Sequence, residues 1–314
     1  MAINNGPAPK KAGLRVFAGL LVLALIGITV FWFVTAPNPL DDARIQAITE
    51  LTADPAHGES VFWAGGCVSC HSAKDAEGDA RLVLSGGHEL KSDFGTFIVP
   101  NISPDPEMGI GGWSLAEFAN AMLAGVSPEG SHLYPSFPYT SYVRMTNQDL
   151  TDLFGFIKTL PESDVTNEDH QLGFPFNIRR MLGGWKFLFF RDGPRVALSN
   201  PDDQLKRGQY LVEGLGHCGE CHTPRNLIGG LKTGQWLAGA PNPEGEGVIP
   251  NITPGAKQVG GWSAADIAYY LESGFTPDFD SVGGSMVEVQ KNMAELEASD
   301  REAIAAYLKA VPAH

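Results

Sequence analysis

The chain has 314 residues, of which 36 are acidic and 22 basic, for a formal net charge of -14. Such a balance supplies no broad Lys/Arg surface to neutralise phosphates, so nucleic acid is excluded as a natural partner, while a docking partner with a basic face and ordinary colloidal repulsion both remain open. The length suits about two domains of ordinary size once an apolar N-terminal segment is set aside.

That segment is the first predicted element. Lys10, Lys11 and Arg15 precede Val16 to Val34, an uncharged, mostly apolar run of nineteen residues, which would span roughly 28 Å as a helix. Cationic residues before it and Asp41 and Asp42 after it predict a cytoplasmic N-terminus with the remainder exported. A cleaved secretory signal ending near Ala36 is the competing reading, but its apolar core would exceed the usual 7 to 15 residues, which favours a retained anchor. Pro37, Asn38 and Pro39 read as an exit linker closing an anchor segment over residues 1–42.

Leu51 to Trp63 has apolar positions compatible with a helix that leads into Cys67-Val68-Ser69-Cys70-His71. This pattern returns as Cys218-Gly219-Glu220-Cys221-His222, and the two copies use all four cysteines. No thiol is left for a disulfide. A zinc site would place its second cysteine pair roughly 15 to 20 residues after the first, whereas these pairs lie more than a hundred apart. CxxCH is instead the spacing that attaches haem c: two cysteines form thioethers to the vinyl groups and the adjacent histidine offers its imidazole to iron. Two covalently attached haem c groups are therefore expected, held by Cys67, Cys70 and His71 and by Cys218, Cys221 and His222.

More than the motif repeats. Val99-Pro100-Asn101-Ile102-Ser103-Pro104 returns as Ile249-Pro250-Asn251-Ile252-Thr253-Pro254, Gly111-Gly112-Trp113-Ser114 returns as Gly260-Gly261-Trp262-Ser263, and Gly58 is matched by Gly208. The unit is a whole domain. Short helices are predicted from Ser114 through Ala124, from Thr146 until Pro161 stops the run, from Ser263 to Ala268 onward, and from Ser299-Glu302 to near Leu308, on capping-box spacing. Neither half carries the period-2 alternation of a sheet, so the fold class is all-α. The domains are placed at 43–162 and 204–314, with a linker over 163–203. In that linker Met181 to Phe190 is apolar but too short for a normal crossing, so it is expected to pack between the domains, with a membrane-surface or partner contact as the functional alternative.

The sixth iron ligands lie outside the motifs. Met145, just before a closing helix, is chosen for the first haem over Met108, Met122 and Met181; its structural role would be core packing. Met286, in a loop after Gly283-Gly284-Ser285, is chosen over Met293 for the second. Trp113 and Trp262 could cover haem surface or pack in the core, and Arg225 could face a propionate or be solvated. His217 could tune a haem pocket or be exposed, whereas His57, His88, His132, His170 and His314 read as surface or locally hydrogen-bonded.

The stretch from Arg207-Gly208-Gln209-Tyr210 to His217-Cys218, followed by His222-Thr223-Pro224-Arg225-Asn226, resembles the cytochrome c subunits and related multihaem cytochromes of membrane-bound alcohol and aldehyde dehydrogenases. The two PNI[S/T]P loops and the Gly-Gly-Trp-Ser motifs extend the resemblance across nearly all of residues 50–312. It implies two tandem class I cytochrome c-like domains behind an N-terminal transmembrane helix, proximal ligands His71 and His222, and Met286 on the second iron. Many relatives have Tyr-Pro-Ala-Met-Pro-Tyr where this chain has Tyr134-Pro135-Ser136-Phe137-Pro138-Tyr139, and Phe137 has no thioether, which moves the first sixth ligand to Met145. The best-known dehydrogenase partners carry three haems, and this chain has two motifs. The expectation is thus a noncatalytic diheme relay in a bacterial cytoplasmic membrane. Its haem domains would be periplasmic, its contacts membrane lipid, a periplasmic dehydrogenase or respiratory complex as donor, and an electron-accepting cytochrome or oxidase. A diheme peroxidase and a thiosulfate-oxidising enzyme are the enzymatic alternatives; the first would need an open iron position and groups that handle peroxide.

Overall fold

A computed structural model of the chain describes residues 10–242, 245 and 247–314. Helix α1 (Lys10–Val34) contains the one stretch among the described residues, Gly13–Val34, that is long and apolar enough to cross a membrane, and none of it is buried against the rest of the chain. Twenty-two residues rise about 33 Å, enough for a hydrocarbon core of about 30 Å. The helix starts upstream of the expected Val16, because no proline interrupts Lys10 to Arg15. At its far end the Thr35 carbonyl accepts a hydrogen bond from His132 Nε2 at 3.0 Å, which fastens the span to the first half of the chain.

The first half is a small helical cage. Asp41 caps α2 (Asp42–Thr49) by accepting from Arg44 N at 2.8 Å. Asp54 caps α3 (Pro55–Ala64), whose first position is a proline with no N–H to leave unpaired. The first CxxCH is itself a short helix, α4 (Cys67–His71). A hairpin of β1 (Glu89–Ser92) and β2 (Gly95–Ile98) follows, then α5 (Leu115–Ala119), opened by the Ser114/Glu117 capping box and continued by a π-helical turn over Asn120–Ala124. After α6 (Tyr139–Tyr142), Thr146 caps α7 (Asn147–Ile157). Helices α3 and α7 cross where Gly58 lies: a Cβ there would fall 2.1 Å from the Asp152 carbonyl oxygen, so only glycine lets the two backbones meet. Phe62, Leu150, Leu153 and Ile157 are buried along this seam, each worth about 1.5–3 kcal/mol against exposure.

The connecting segment adds β3 (Gln171–Leu172) to β2, giving sheet order β1-β2-β3, and then forms α8 (Met181–Phe189). The second half repeats the cage. Asp202 caps α9 (Asp203–Tyr210), which runs through a π-helical turn, Leu211–Leu215, into α10 (Gly219–His222), the second CxxCH. The ribbon of β4 (Ala240–Pro241) and β5 (Val248–Ile249) precedes α11 (Ala264–Ser273), α12 (Met286–Ala294) and α13 (Ala298–Ala310). Helices α9 and α13 cross at Gly208, where a Cβ would lie 1.9 Å from the Ala303 carbonyl oxygen.

The chain is helix-rich and all-α in class, as expected, and it departs in detail from two expected elements. The described residues also include two small antiparallel sheets, built from strands of two to four residues, too short for alternation to register. Helix α2 carries no signal in the sequence pattern. The last helix begins at Ala298 after Glu297 rather than at a Ser299 cap. Met286 opens α12 instead of standing in a flexible loop.

Candidate functional site

In each half the CxxCH turn is helical, so its cysteines three apart and its histidine lie on neighbouring positions of one short helix. In α4, Gly66 enters at φ 63°, a conformation glycine adopts without strain. Burial pushes the Cys67 and Cys218 thiols up to about 12, so both are protonated at neutral pH in the absence of a thioether.

The histidines are held identically. His71 Nδ1 donates to the Pro100 carbonyl at 2.8 Å, and His222 Nδ1 donates to the Pro250 carbonyl at 2.8 Å. A carbonyl only accepts, so each Nδ1 carries the proton and each Nε2 keeps its lone pair for a metal. Burial depresses the ring of His71 to about 4 despite the opposing Pro100 carbonyl, and lowers His222 for the same reason. Both are neutral at pH 7.

The repeated PNI[S/T]P loop is what presents those carbonyls. Asn101 Oδ1 accepts from Ser103 N at 2.9 Å and Asn251 Oδ1 from Thr253 N at 2.8 Å, which folds each loop back on itself. Asn101 Nδ2 reaches the Ser163 carbonyl beyond α7, and Asn251 Nδ2 reaches the His314 carbonyl beyond α13. Facing each loop, Gly86 N donates to the His71 carbonyl and Gly239 N to the His222 carbonyl, both at 2.7 Å. Gly86 has φ 70° and no room for a Cβ, which would meet Pro100 C at 2.4 Å. One loop thus orients the imidazole and ties it to the end of the closing helix.

The two motifs are neighbours. Tyr142 donates to the Gly65 carbonyl at 2.7 Å, and its ring meets His217 edge-on at 5.7 Å between centroids. Gly65 and His217 stand two and one residues before the first cysteine of their motifs. Glu220, inside the second motif, accepts from Thr140 Oγ1 at 2.7 Å and Ser141 Oγ at 2.8 Å on α6, and is paired with Arg225. Burial works against its charge, but Arg225 and the two hydroxyls hold it below the usual carboxylate range. From the other side Asn292 of α12 donates to Ser69 Oγ in the first motif and accepts from Arg81, each at 2.7 Å. Each half therefore grips the motif of the other.

Among the expected site residues, Met145 is 2% exposed in the turn between α6 and α7, Met286 is partly buried against the hydrophobic core, and Met181 is exposed on α8. Met122 and Met293 are buried in the core. Trp113 and Trp262 are half-buried at equivalent turns. Lys158 donates to the Gly111 carbonyl, and Lys309 donates to the Gly260 carbonyl at 2.9 Å and the Trp262 carbonyl at 2.8 Å. Arg225 spends its guanidinium on Glu220 and the Gly229 carbonyl. His217 lies at the junction of the halves rather than in open solvent. Two residues that no motif announced stand out as fits for a haem. Arg81 Nε and Trp236 Nε1 are buried donors that make no hydrogen bond of ordinary geometry, Trp236 facing the Tyr307 hydroxyl, and each lies in the segment between its half's CxxCH and PNI loop. Trp236 packs against the motif, where a Cβ on Gly219 would fall 2.0 Å from its ring. Buried donors of this kind suit the acceptor oxygens of propionates.

The family model for cytochrome c matches residues 55–161. Over 94% of this chain and 97% of the other, the sequence is 56% identical to a diheme cytochrome c-type protein of Cereibacter sphaeroides. The chain belongs to the diheme c-type cytochromes. This cytochrome is also 35% identical to the fructose dehydrogenase cytochrome subunit of Gluconobacter japonicus, over 93% of its own length and 58% of that subunit. It is 34% identical to the cytochrome c subunit of the quinone-dependent alcohol dehydrogenase of Gluconobacter oxydans, over 90% of itself and 60% of the other chain. It spans less than two thirds of both subunits. The cytochrome binds haem c and, with one membrane-length helix among the described residues, is a single-pass membrane protein.

Proposed function

We propose that the cytochrome is a two-centre electron relay in which residues 43–162 and 204–314 are two tandem class I cytochrome c domains, each holding one covalent haem, joined by 163–203. Cys67 and Cys70 with His71, and Cys218 and Cys221 with His222, would hold the cofactors, and Met145 and Met286 would supply a thioether to each. Bound haem supplies the one-electron Fe(III)/Fe(II) couple. The chain's part is to fix the imidazole tautomer through Pro100 and Pro250, to satisfy propionates from Arg81 and Trp236, and to lock the two motifs together through Tyr142, Glu220 and Asn292. The observation that carries the reading is this junction: two identically built histidine sites abut at Gly65 and His217. Methionine ligation on both irons would leave no ordinary open position for peroxide, which is why the relay is preferred to a diheme peroxidase.

The relatives named as dehydrogenase cytochrome subunits support a membrane or periplasmic dehydrogenase as donor. The acceptor would be another cytochrome or an oxidase, with the N-terminus in the cytoplasm and both domains periplasmic. Mild-detergent co-purification, followed by reduction of the haem with the recovered dehydrogenase and its substrate, tests this. Substrate-dependent reduction without peroxide turnover is expected. Rapid peroxide consumption at an open iron would favour the peroxidase.

A further inference from the structure

We propose that α8 is a second membrane contact: a helix lying in the lipid headgroup region beside α1 and seated on anionic phospholipid. The proposal rests on the single-pass reading of α1. The start of α8 is locked to the last turn of the span. The Arg180 guanidinium stacks 4.2 Å from the centroid of the Trp32 ring and donates to the Trp32 carbonyl, and its Nε donates to Thr35 Oγ1 at 3.1 Å. Gly183 lies so close that a Cβ would fall 2.3 Å from the Thr35 carbonyl oxygen. A tryptophan at the end of a span sits at the membrane–water interface, so the contact with Trp32 places the start of α8 at that depth.

The other faces of α8 are occupied by the chain. Lys186 Nζ donates to the Ala124 and Gly125 carbonyls at 2.8 and 2.7 Å, and Trp185 Nε1 donates to the Ile228 carbonyl at 2.9 Å. The face that remains is apolar. It carries Met181 and Leu188, two turns apart, with Phe187 beside them at 67% exposure. Phe174, just upstream, is 82% exposed, and Leu227, in the loop that receives Trp185, is fully exposed. Charge points to the same surface. Two exposed arginines, Arg179 and Arg191, flank the helix at its two ends, in a chain of net charge -14. An apolar helix face with flanking arginines, continuous with a transmembrane helix, matches the chemistry of an anionic lipid interface. Held at two points, the haem domains would keep a fixed tilt to the bilayer instead of swinging on the exit linker.

The test uses the full-length holoprotein in nanodiscs of phosphatidylglycerol and phosphatidylcholine that carry a diazirine on the acyl chain. After illumination, label is expected on peptides covering 13–34 and on those covering 181–190. Replacing Phe187→Asp together with Leu188→Asp should remove label from 181–190, leave it on 13–34 and leave the haem spectrum unchanged. Label confined to 13–34 in the parent protein overturns the interfacial helix while the span stands. Absence of label from 13–34 overturns both. A concentration-dependent crosslink from one copy's α8 to another's, with no lipid label on 181–190, would assign the face to a second copy and also refute the proposal.

Discussion

Replacing Gly208 by alanine tests the packing on which the second histidine site depends. The new Cβ would sit 1.9 Å from the Ala303 carbonyl oxygen, against an ordinary C···O contact of about 3.3 Å. Helices α9 and α13 would have to part by about 1.4 Å, and a gap of even 0.5–1 Å forfeits a quarter to a half of the dispersion well for atoms across it. Leu211, Ile304, Tyr307 and Leu308 are buried at this seam. Overpacking costs about 1–3 kcal/mol, with the upper end expected because the obstacle is backbone and cannot swing away. Alanine recovers up to about 1 kcal/mol of helix propensity. The net loss is about 2 kcal/mol, near a thirtyfold change in the folding equilibrium. Guanidinium unfolding of the full-length holoprotein in detergent, followed by tryptophan emission as the chain moves away from haem, should show a lower midpoint. Gly58→Ala should behave alike through the Asp152 carbonyl, 2.1 Å away, whereas Gly173→Ala, with nothing within 4 Å, should lie within about 0.5 kcal/mol of wild type. If Gly208→Ala and Gly173→Ala share a midpoint, the crossing is not as tight as described.

Met145→Leu and Met286→Leu keep apolar volume but remove the thioether, so each should shift the ligand-field spectrum and lower the potential of one haem while the other is unchanged, as read by spectroelectrochemical titration. Unaltered spectra in both variants would refute the two assignments. Stability should also fall on acidification. Burial holds His132 and His170 below the ordinary value of 6.5, so the unfolded chain takes up protons first and the stabilisation, complete above 6.5, is lost as pH falls through the folded values. His132 Nε2 donates to Thr35, and His170 Nδ1 accepts from Ile98 N at 3.1 Å, a bond that protonation of that nitrogen removes. A His132→Gln/His170→Gln protein should show a shallower decline in melting temperature between pH 7 and 5; an unchanged slope would contradict the assignment.

The cofactor chemistry was legible because CxxCH is a covalent constraint on spacing, and the double repeat was legible because each repeated residue has a local job. Ser114 and Ser263 cap helices as their spacing implied, and Gly58 and Gly208 mark the two crossings. The Pro-Asn-Ile loop was visible as a repeat, but its purpose was not: the acceptor is a backbone carbonyl, which has no sequence signature. Arg81, Trp236, Tyr142 and Asn292 were missed for a related reason. The partners of Arg81, Tyr142 and Asn292 lie far along the chain, up to 223 residues away for Asn292 and Ser69, and nothing in the neighbours of any of the four distinguishes it. The strands escaped notice because two to four residues cannot show alternation, and α12 because the glycines before Met286 read as a continuing loop.

Intact mass of the denatured chain tests the central claim most directly, since only thioether-bonded haem survives unfolding. Wild type should carry the mass of two haem groups, and changing Cys67 and Cys70 together to alanine, or Cys218 and Cys221 together, should each leave one. A wild-type chain with one haem or none, or a paired substitution that leaves both in place, would contradict the two-centre account.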